Sequence, residues 1–217
     1  MAATMIFRMA STTPRQVSVA RMKPSLDQQV LSAVGGHPAV RTIDLAGSRA
    51  EGRATAFSDW DFLVTTDDFP ALARDLPLLC APLAPLAAQW DPLSPEQCWM
   101  LMLAGPAKVD VIFPDEPHEL EPPRAPTREN LADVDRHFWD WVLWLRSKQE
   151  SGKREFVAAE LEKLFEYLLT PLGATTRPDS VVEAVAVYRE ARGATERRLG
   201  VEVPRELEEA VASTVLA

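Results

Sequence analysis

Asp59 and Asp61 stand one residue apart at the head of an apolar run, Ser58-Asp-Trp-Asp-Phe-Leu-Val64. Side chains alternate along a strand, so the two carboxylates share one face while Trp60, Phe62 and Val64 share the other. Carboxylates held side by side repel each other and lose hydration. A divalent cation relieves that repulsion, and oxygen ligands of this kind suit Mg2+. A second apolar run, Ile43-Asp-Leu-Ala-Gly-Ser48, ends eleven residues before Asp59. Gly47 lets the backbone approach a ligand closely, and the Ser48 hydroxyl can donate to phosphate oxygens. Metal-binding carboxylates beside a small phosphate-cradling turn are the minimal equipment for phosphoryl or nucleotidyl transfer.

A two-metal centre needs more than two carboxylates, and Asp110 is the candidate third. In Lys108-Val-Asp-Val-Ile-Phe113 the residues Val109, Val111 and Phe113 form one face and Asp110 lies opposite. A lone aspartate there also reads as an edge-strand residue facing water. With Asp59 and Asp61 already placed, the metal reading is favoured, because an uncompensated charge in an apolar strand is costly. On this reading Asp110→Ala leaves the fold intact and removes the chemistry.

The chain has 217 residues, 47% hydrophobic and 25% charged, in the range of globular proteins. No apolar run approaches the roughly 20 residues of a membrane-spanning helix. A net charge of -9 argues against a broad nucleic-acid footprint and suits a cationic small substrate. Cys80 and Cys98 lack metal-ligand spacing and read as buried small hydrophobes, with a reducing cytoplasm as the expected compartment. His37, His118 and His137 are scattered, with no ligand pair among them.

The elements that position these residues follow from periodicity and breakers. Residues 1–23 lack periodicity and are expected to form a flexible N-terminal arm. Pro24-Ser25 opens a helix with Leu26, Val30 and Val34 on one side. Val40–Leu45 and Asp59–Thr65 read as strands. Asp67-Asp68 caps a helix whose core face is Leu72, Leu76 and Leu79. Cys98–Leu103 and Lys108–Phe113, joined by Ala104-Gly-Pro-Ala107, form an antiparallel hairpin. Residues 114–127 hold five prolines and four acidic residues, and are expected to be a linker without regular structure. Helices follow: 128–148 with a stripe through Leu131, Val134, Phe138, Trp141 and Leu145; 153–169 through Phe156, Leu161, Leu164 and Leu168; a third capped by Asp179-Ser180; and a fourth opened by Pro204. The predicted class is α+β: a domain over 24–113 with a mixed sheet and flanking helices, a Pro-rich linker over 114–127, and a helical bundle over 128–217.

Gly47-Ser48, Asp59-Trp-Asp61 and a later strand aspartate resemble the nucleotidyltransferase superfamily with the DNA polymerase β-like palm. Ala46-Gly-Ser-Arg-Ala-Glu-Gly52 and Ser58–Val64 look most like its small-molecule branch, the aminoglycoside and lincosamide adenylyltransferases. The motifs cover Ile43 to Phe113; the helical half matches only in kind. The resemblance implies that Asp59 and Asp61 hold Mg2+ and that Gly47 and Ser48 seat the β- and γ-phosphates of ATP or another nucleoside triphosphate. Asp110 would complete a second metal site, take the proton of the acceptor hydroxyl, or do both in turn. Arg49 is either a phosphate-neutralising cation or a solvated loop residue. Some members use a base from the helical domain; Glu129, Asp133, Asp135 and Asp140 are its candidates, each reading first as a solvated helix residue. Lys148 and Lys153 are phosphate ligands or helix-terminal charges, the latter favoured. Trp139, Trp141 and Trp144 span most of a helical turn, so most are expected in the core, with one or two free to line an acceptor cleft.

The function implied is Mg2+-dependent transfer of AMP from ATP to a hydroxyl of a small molecule, an aminoglycoside-like antibiotic among the candidates, with release of pyrophosphate. Neither nucleic-acid nor membrane partners are expected. Related enzymes often build the cleft from two subunits, which admits a homodimer. Two alternatives are an adenylyltransferase acting on a protein partner in a toxin–antitoxin type of system, and a non-catalytic nucleotide-binding protein. Against the second stands the presence of all three aspartates.

Overall fold

The computed structural model describes residues 24–120 and 125–216. The expected N-terminal arm, residues 1–23, lies outside the described residues. The fold is α+β, built on a five-stranded mixed sheet. The strands are β1 (Val40–Ala46), β2 (Trp60–Thr66), β3 (Ala87–Trp90), β4 (Glu96–Leu103) and β5 (Ala107–Pro117). They lie in the order β1-β2-β5-β4-β3. Only β2 and β5 run parallel, and their register sets Asp61 directly beside Asp110. The β4–β5 pair is the expected antiparallel hairpin.

Alternation divides the sheet into two faces. Phe62, Val64, Trp99, Leu101, Val109, Val111 and Phe113 bury one face against α1 (Leu26–Gly35) and α3 (Phe69–Cys80). Both helices start as their sequences direct. The Ser25 backbone N–H donates to Gln28 Oε1, and Asp68 accepts from the Ala71 N–H at 3.0 Å. Lys108, Asp110, Met100, Met102 and Ala87 belong to the other face. There α4 (Leu131–Glu150) crosses β5 and β3. Strand β4 is therefore covered on both faces, which is why Cys98–Leu103 reads as continuously apolar rather than alternating. Strands β1 and β2 keep their second face open, with Thr42 and Asp44 exposed.

The helices after residue 130 share a second core. It takes in α4, α5 (Arg154–Leu164), a π-helical segment (Phe165–Leu169), α6 (Thr170–Leu172), α7 (Val181–Leu199) and α8 (Glu206–Val215). Ala87 and Met102 of the sheet contribute to the same core. Buried polar contacts fix three of these helices together. Asp135 of α4 accepts from Tyr188 Oη at 2.5 Å and from Arg192 at 2.9 Å, both on α7, and Arg192 also pairs with Glu208 of α8.

Four expectations are corrected. The segment after Phe113 is not without regular structure, for β5 continues to Pro117. Strand β2 pairs with β5 only as far as Ile112, so beyond it one edge of β5 is open and a missing proline N–H costs no ladder bond there. Strand β3 lies just after Pro82 and Pro85, where no element was expected. The helix over 153–169 gives way to a π-helical turn at Phe165, which re-aims the side chains beyond it. Phe156 is 41% exposed and is not part of the core stripe.

Candidate functional site

The site forms where β1 ends, β2 begins and α4 passes over β5. Strand β1 delivers the chain into α2 (Gly47–Ala50), a single helical turn. Gly47 has φ +64, and a Cβ at this position would run into the Asp61 carboxylate. Glycine is thus required both by backbone conformation and by the space Asp61 takes. Ser48 is half-buried in the same turn.

Arg49 turns back from α2 and donates to the Ser58 carbonyl from Nε at 3.1 Å and Nη2 at 2.6 Å, and to the Asp59 carbonyl from Nε at 3.0 Å. Its guanidinium also lies 3.8 Å from the centre of the Trp60 ring. It is neither free in solvent nor extended toward a ligand. It ties the turn to the backbone that carries Asp59, while its charge acts on Asp59 and Asp61.

Asp59 precedes β2 and is buried. Its Oδ2 accepts from Lys148 Nζ of α4 at 3.2 Å, and its Oδ1 is buried without a partner. Asp61 is half-buried. Burial, then the negative charges of Asp110 and Asp59, push its carboxyl up to about 6. Asp110 is buried and faces α4. Lys108, two residues earlier on the same face, donates to it at 2.6 Å and lies 2.9 Å from Asp140 Oδ1. Burial works against the Lys108 charge, but Asp110 and Asp140 outweigh it and keep the ammonium protonated. Asp140 is pushed up to about 7, by burial first, with Lys108 opposing and Asp110 reinforcing the shift.

The expected aspartates are therefore neighbours, with Asp61 and Asp110 in register, Asp59 at the mouth of the same strand, and mutual repulsion registered in the Asp61 carboxyl. Among the described residues, no three His, Cys, Asp or Glu side chains converge as a finished ligand set for a metal ion. Lys148 and Lys108 hold part of the carboxylate oxygen that such an ion would use. Asp59 and Asp61 still fit a hard cation. One Asp59 carboxylate oxygen is buried with no donor, the Asp61 carboxyl is raised by burial first and then by the charges of Asp110 and Asp59, and the donors are all oxygen. Asp59, Asp61, Asp110 and Asp140 are four carboxyls against the three cations Lys108, Lys148 and Arg49, so the cluster keeps an excess of negative groups.

Three members of this cluster were underrated from the sequence. Lys148 was read as a helix-terminal charge but reaches Asp59. Asp140 was one of four helix carboxylates read as solvated. Asp140 and Asp135 are buried, whereas Asp133 and Glu129 are exposed. Its signal was the run Phe138-Trp-Asp-Trp-Val-Leu143, where a carboxylate in an all-apolar stretch calls for a partner. Lys108 carried the matching signal, an ammonium two residues from Asp110 on one strand face. His137, one turn before Asp140, is nearly buried, stacks on Trp141 and approaches Asp91 at 3.8 Å. Trp139 and Trp141 are buried and Trp144 half-buried.

No family model matches the chain, and no curated protein does. Among solved structures it is similar to an aminoglycoside 6-adenyltransferase from Bacillus subtilis. That likeness is 11% identical, covers 87% of this chain and 95% of the other, and has a TM-score of 0.33. A likeness of that degree assigns no family, and the functional reading rests on the residues of the site. No helix of the described residues is long and apolar enough to cross a membrane.

Proposed function

We propose that the chain is a Mg2+-dependent nucleotidyltransferase that moves AMP from ATP to a hydroxyl of a small molecule. The observation that carries this reading is the register of Asp61 with Asp110 across parallel strands, beside Asp59 with its buried, unpartnered Oδ1. Asp59 and Asp61 would hold Mg2+, which when bound offsets charge on the triphosphate and on the departing pyrophosphate. Gly47 lets the Asp61 carboxylate lie against the turn, and Ser48 would donate to a phosphate oxygen. Arg49 positions that turn. Lys148, which now donates to Asp59 Oδ2, would be available to donate to a phosphate oxygen where a cation held that carboxylate. The acceptor hydroxyl attacks the α-phosphorus; a new O–P bond forms, the bond to the β-phosphate bridging oxygen breaks, and pyrophosphate leaves. The hydroxyl proton passes to a carboxylate at the Asp110–Asp140 end, where Asp140, at about 7, is matched to neutral pH.

The test is pyrophosphate release with ATP, Mg2+ and a panel of hydroxyl-bearing acceptors, wild type against Asp59→Asn. A loss of at least about 100-fold in the variant is expected, since it removes a carboxylate that would hold the cation offsetting charge on the reacting phosphate. Turnover near wild type in Asp59→Asn would sink the assignment.

A further inference from the structure

A cavity of about 440 Å3 opens at the β3 edge of the sheet, between the strands, the N-terminal half of α4 and the π-helical segment. Its volume is that of a small-molecule site, roughly 300–1,000 Å3. Trp90, Trp99, Trp141, Tyr167, Leu93 and Leu168 are among the residues that line it. Among the described residues no lysine or arginine lines it, and the lining carboxylate is Asp133, exposed and paired with Arg136. The Trp99 indole N–H is buried without a hydrogen-bond partner.

The register of the sheet relates this cavity to the carboxylates. Asp61 pairs with Asp110, Asp110 with Met100, and Met100 with Gln89, and Gln89 lines the cavity. Strands lie about 4.8 Å apart, so Gln89 is roughly 10 Å from Asp110 and roughly 14 Å from Asp61. Above this row runs α4. His137 contributes its ring to the cavity wall, and Asp140, one turn on, reaches Lys108.

We propose that the cavity binds an uncharged aromatic portion of the acceptor, and that the acceptor is an elongated molecule whose hydroxyl lies toward Asp110 and Asp140. This rests on the transfer reading above and gives that reading a substrate class: an aromatic amphiphile rather than a polycationic sugar. The indoles and the phenol provide ring faces and edges for an arene.

The probe is 2-naphthol, titrated into the full chain by calorimetry with and without saturating Mg2+-ATP. Binding is expected in both conditions, unchanged in Asp59→Asn and weakened by at least about tenfold when a bulky side chain fills the cavity, a loss of about 1.4 kcal/mol. Ala88→Phe on β3 and Leu93→Trp in the loop after it are two independent ways of filling the space, so misfolding of one leaves the other. Equal affinity in a folded filled variant and in wild type overturns the proposal. So does displacement of 2-naphthol by Mg2+-ATP, which would assign the cavity to the nucleobase, or by kanamycin, which would assign it to a cationic sugar. A chain that binds Mg2+-ATP but not 2-naphthol counts against the cavity alone. One that binds 2-naphthol but not Mg2+-ATP supports the aromatic site and counts against the transfer reading.

Discussion

Lys108 is the residue on which the buried charges of the site depend. It stands between Asp110 and Asp140, and neither carboxylate has another basic partner in the salt bridges of the described residues. Its removal would leave two buried carboxyls facing each other. Lys108→Met is therefore expected to destabilise the fold by about 3–5 kcal/mol, the usual cost of stranding a buried charge. Denaturant melts check this, and the double variant with Asp140→Asn should recover part of the loss. The same geometry changes the expectation that Asp110→Ala leaves the fold intact, since that variant leaves the buried Lys108 ammonium with a single partner, Asp140. Asp61 and Asp140 also set a pH dependence. Burial first, and then neighbouring carboxylates, push their folded carboxyls up to about 6 and about 7, above the ordinary carboxylate range. The folded chain thus binds protons that the unfolded chain has released, and metal-free stability should fall as pH rises from roughly 4 to roughly 7. Glu196 and Glu208, held below their ordinary value by arginine partners that outweigh burial, act in the opposite direction under more acid conditions, and His137, held below its ordinary value by burial, opposes the fall within this window without matching the two carboxyls. Denaturation midpoints in a chelating buffer at pH 5 and pH 8 measure the slope. Asp61→Asn should flatten it, and an unaltered slope in that variant would remove Asp61 as its source.

At the scale of elements, the α2 turn joins backbone conformation to function most closely. Gly47→Ala faces both a positive φ and the Asp61 carboxylate. The conformational part costs about 1–2 kcal/mol; the steric part must displace Asp61. Turnover is expected to fall by more than about tenfold while the melting temperature drops only a few degrees, and a variant with normal kinetics would show that Asp61 has freedom to move. The strands that carry the three aspartates were legible because each mixes period-two alternation with a misplaced acid. Strand β3 was not, since Ala87–Trp90 is short, sits behind two prolines and gains its stability from pairing with β4. The extension of β5 through Pro114 was hidden for a related reason. Composition records that proline cannot donate, but not that the edge it occupies has no acceptor to satisfy. The π-helical turn at Phe165 carries no sequence signature of its own, and it places Tyr167 and Leu168 in the cavity wall. The aspartates were found from spacing along the chain, whereas Lys108, Lys148 and Asp140 acquire their roles from the crossing of α4 over the sheet, a tertiary relation that one sequence does not encode locally.

At the scale of the molecule, the question is whether sheet and helices behave as two bodies or one. Their cores are distinct, yet α4 belongs to both layers. Its inner residues fill the helical core, while Asp140 and Lys148 reach Lys108 and Asp59 on the sheet side. Arg136 donates to Gln89 at 3.0 Å, and Ala87 and Met102 of the sheet lie within the helical core. A boundary between residues 113 and 128, placed from composition, separates two stretches of sequence but does not separate these contacts. Unfolding either half would strand buried charges in the other, and that penalty couples the two halves. A single calorimetric transition is therefore expected, with equal calorimetric and van't Hoff enthalpies. Arg192→Leu, which breaks the Asp135 and Glu208 pairs far from the proposed site, should lower that one transition by about 3–5 kcal/mol in stability. Mg2+-ATP should raise the same transition in wild type and not in Asp59→Asn, because a ligand that binds only the folded state stabilises everything that unfolds with it. Two resolved transitions, with only the first responding to Mg2+-ATP and only the second to Arg192→Leu, would show that the sheet and the helices fold as independent domains and that α4 merely rests on the sheet.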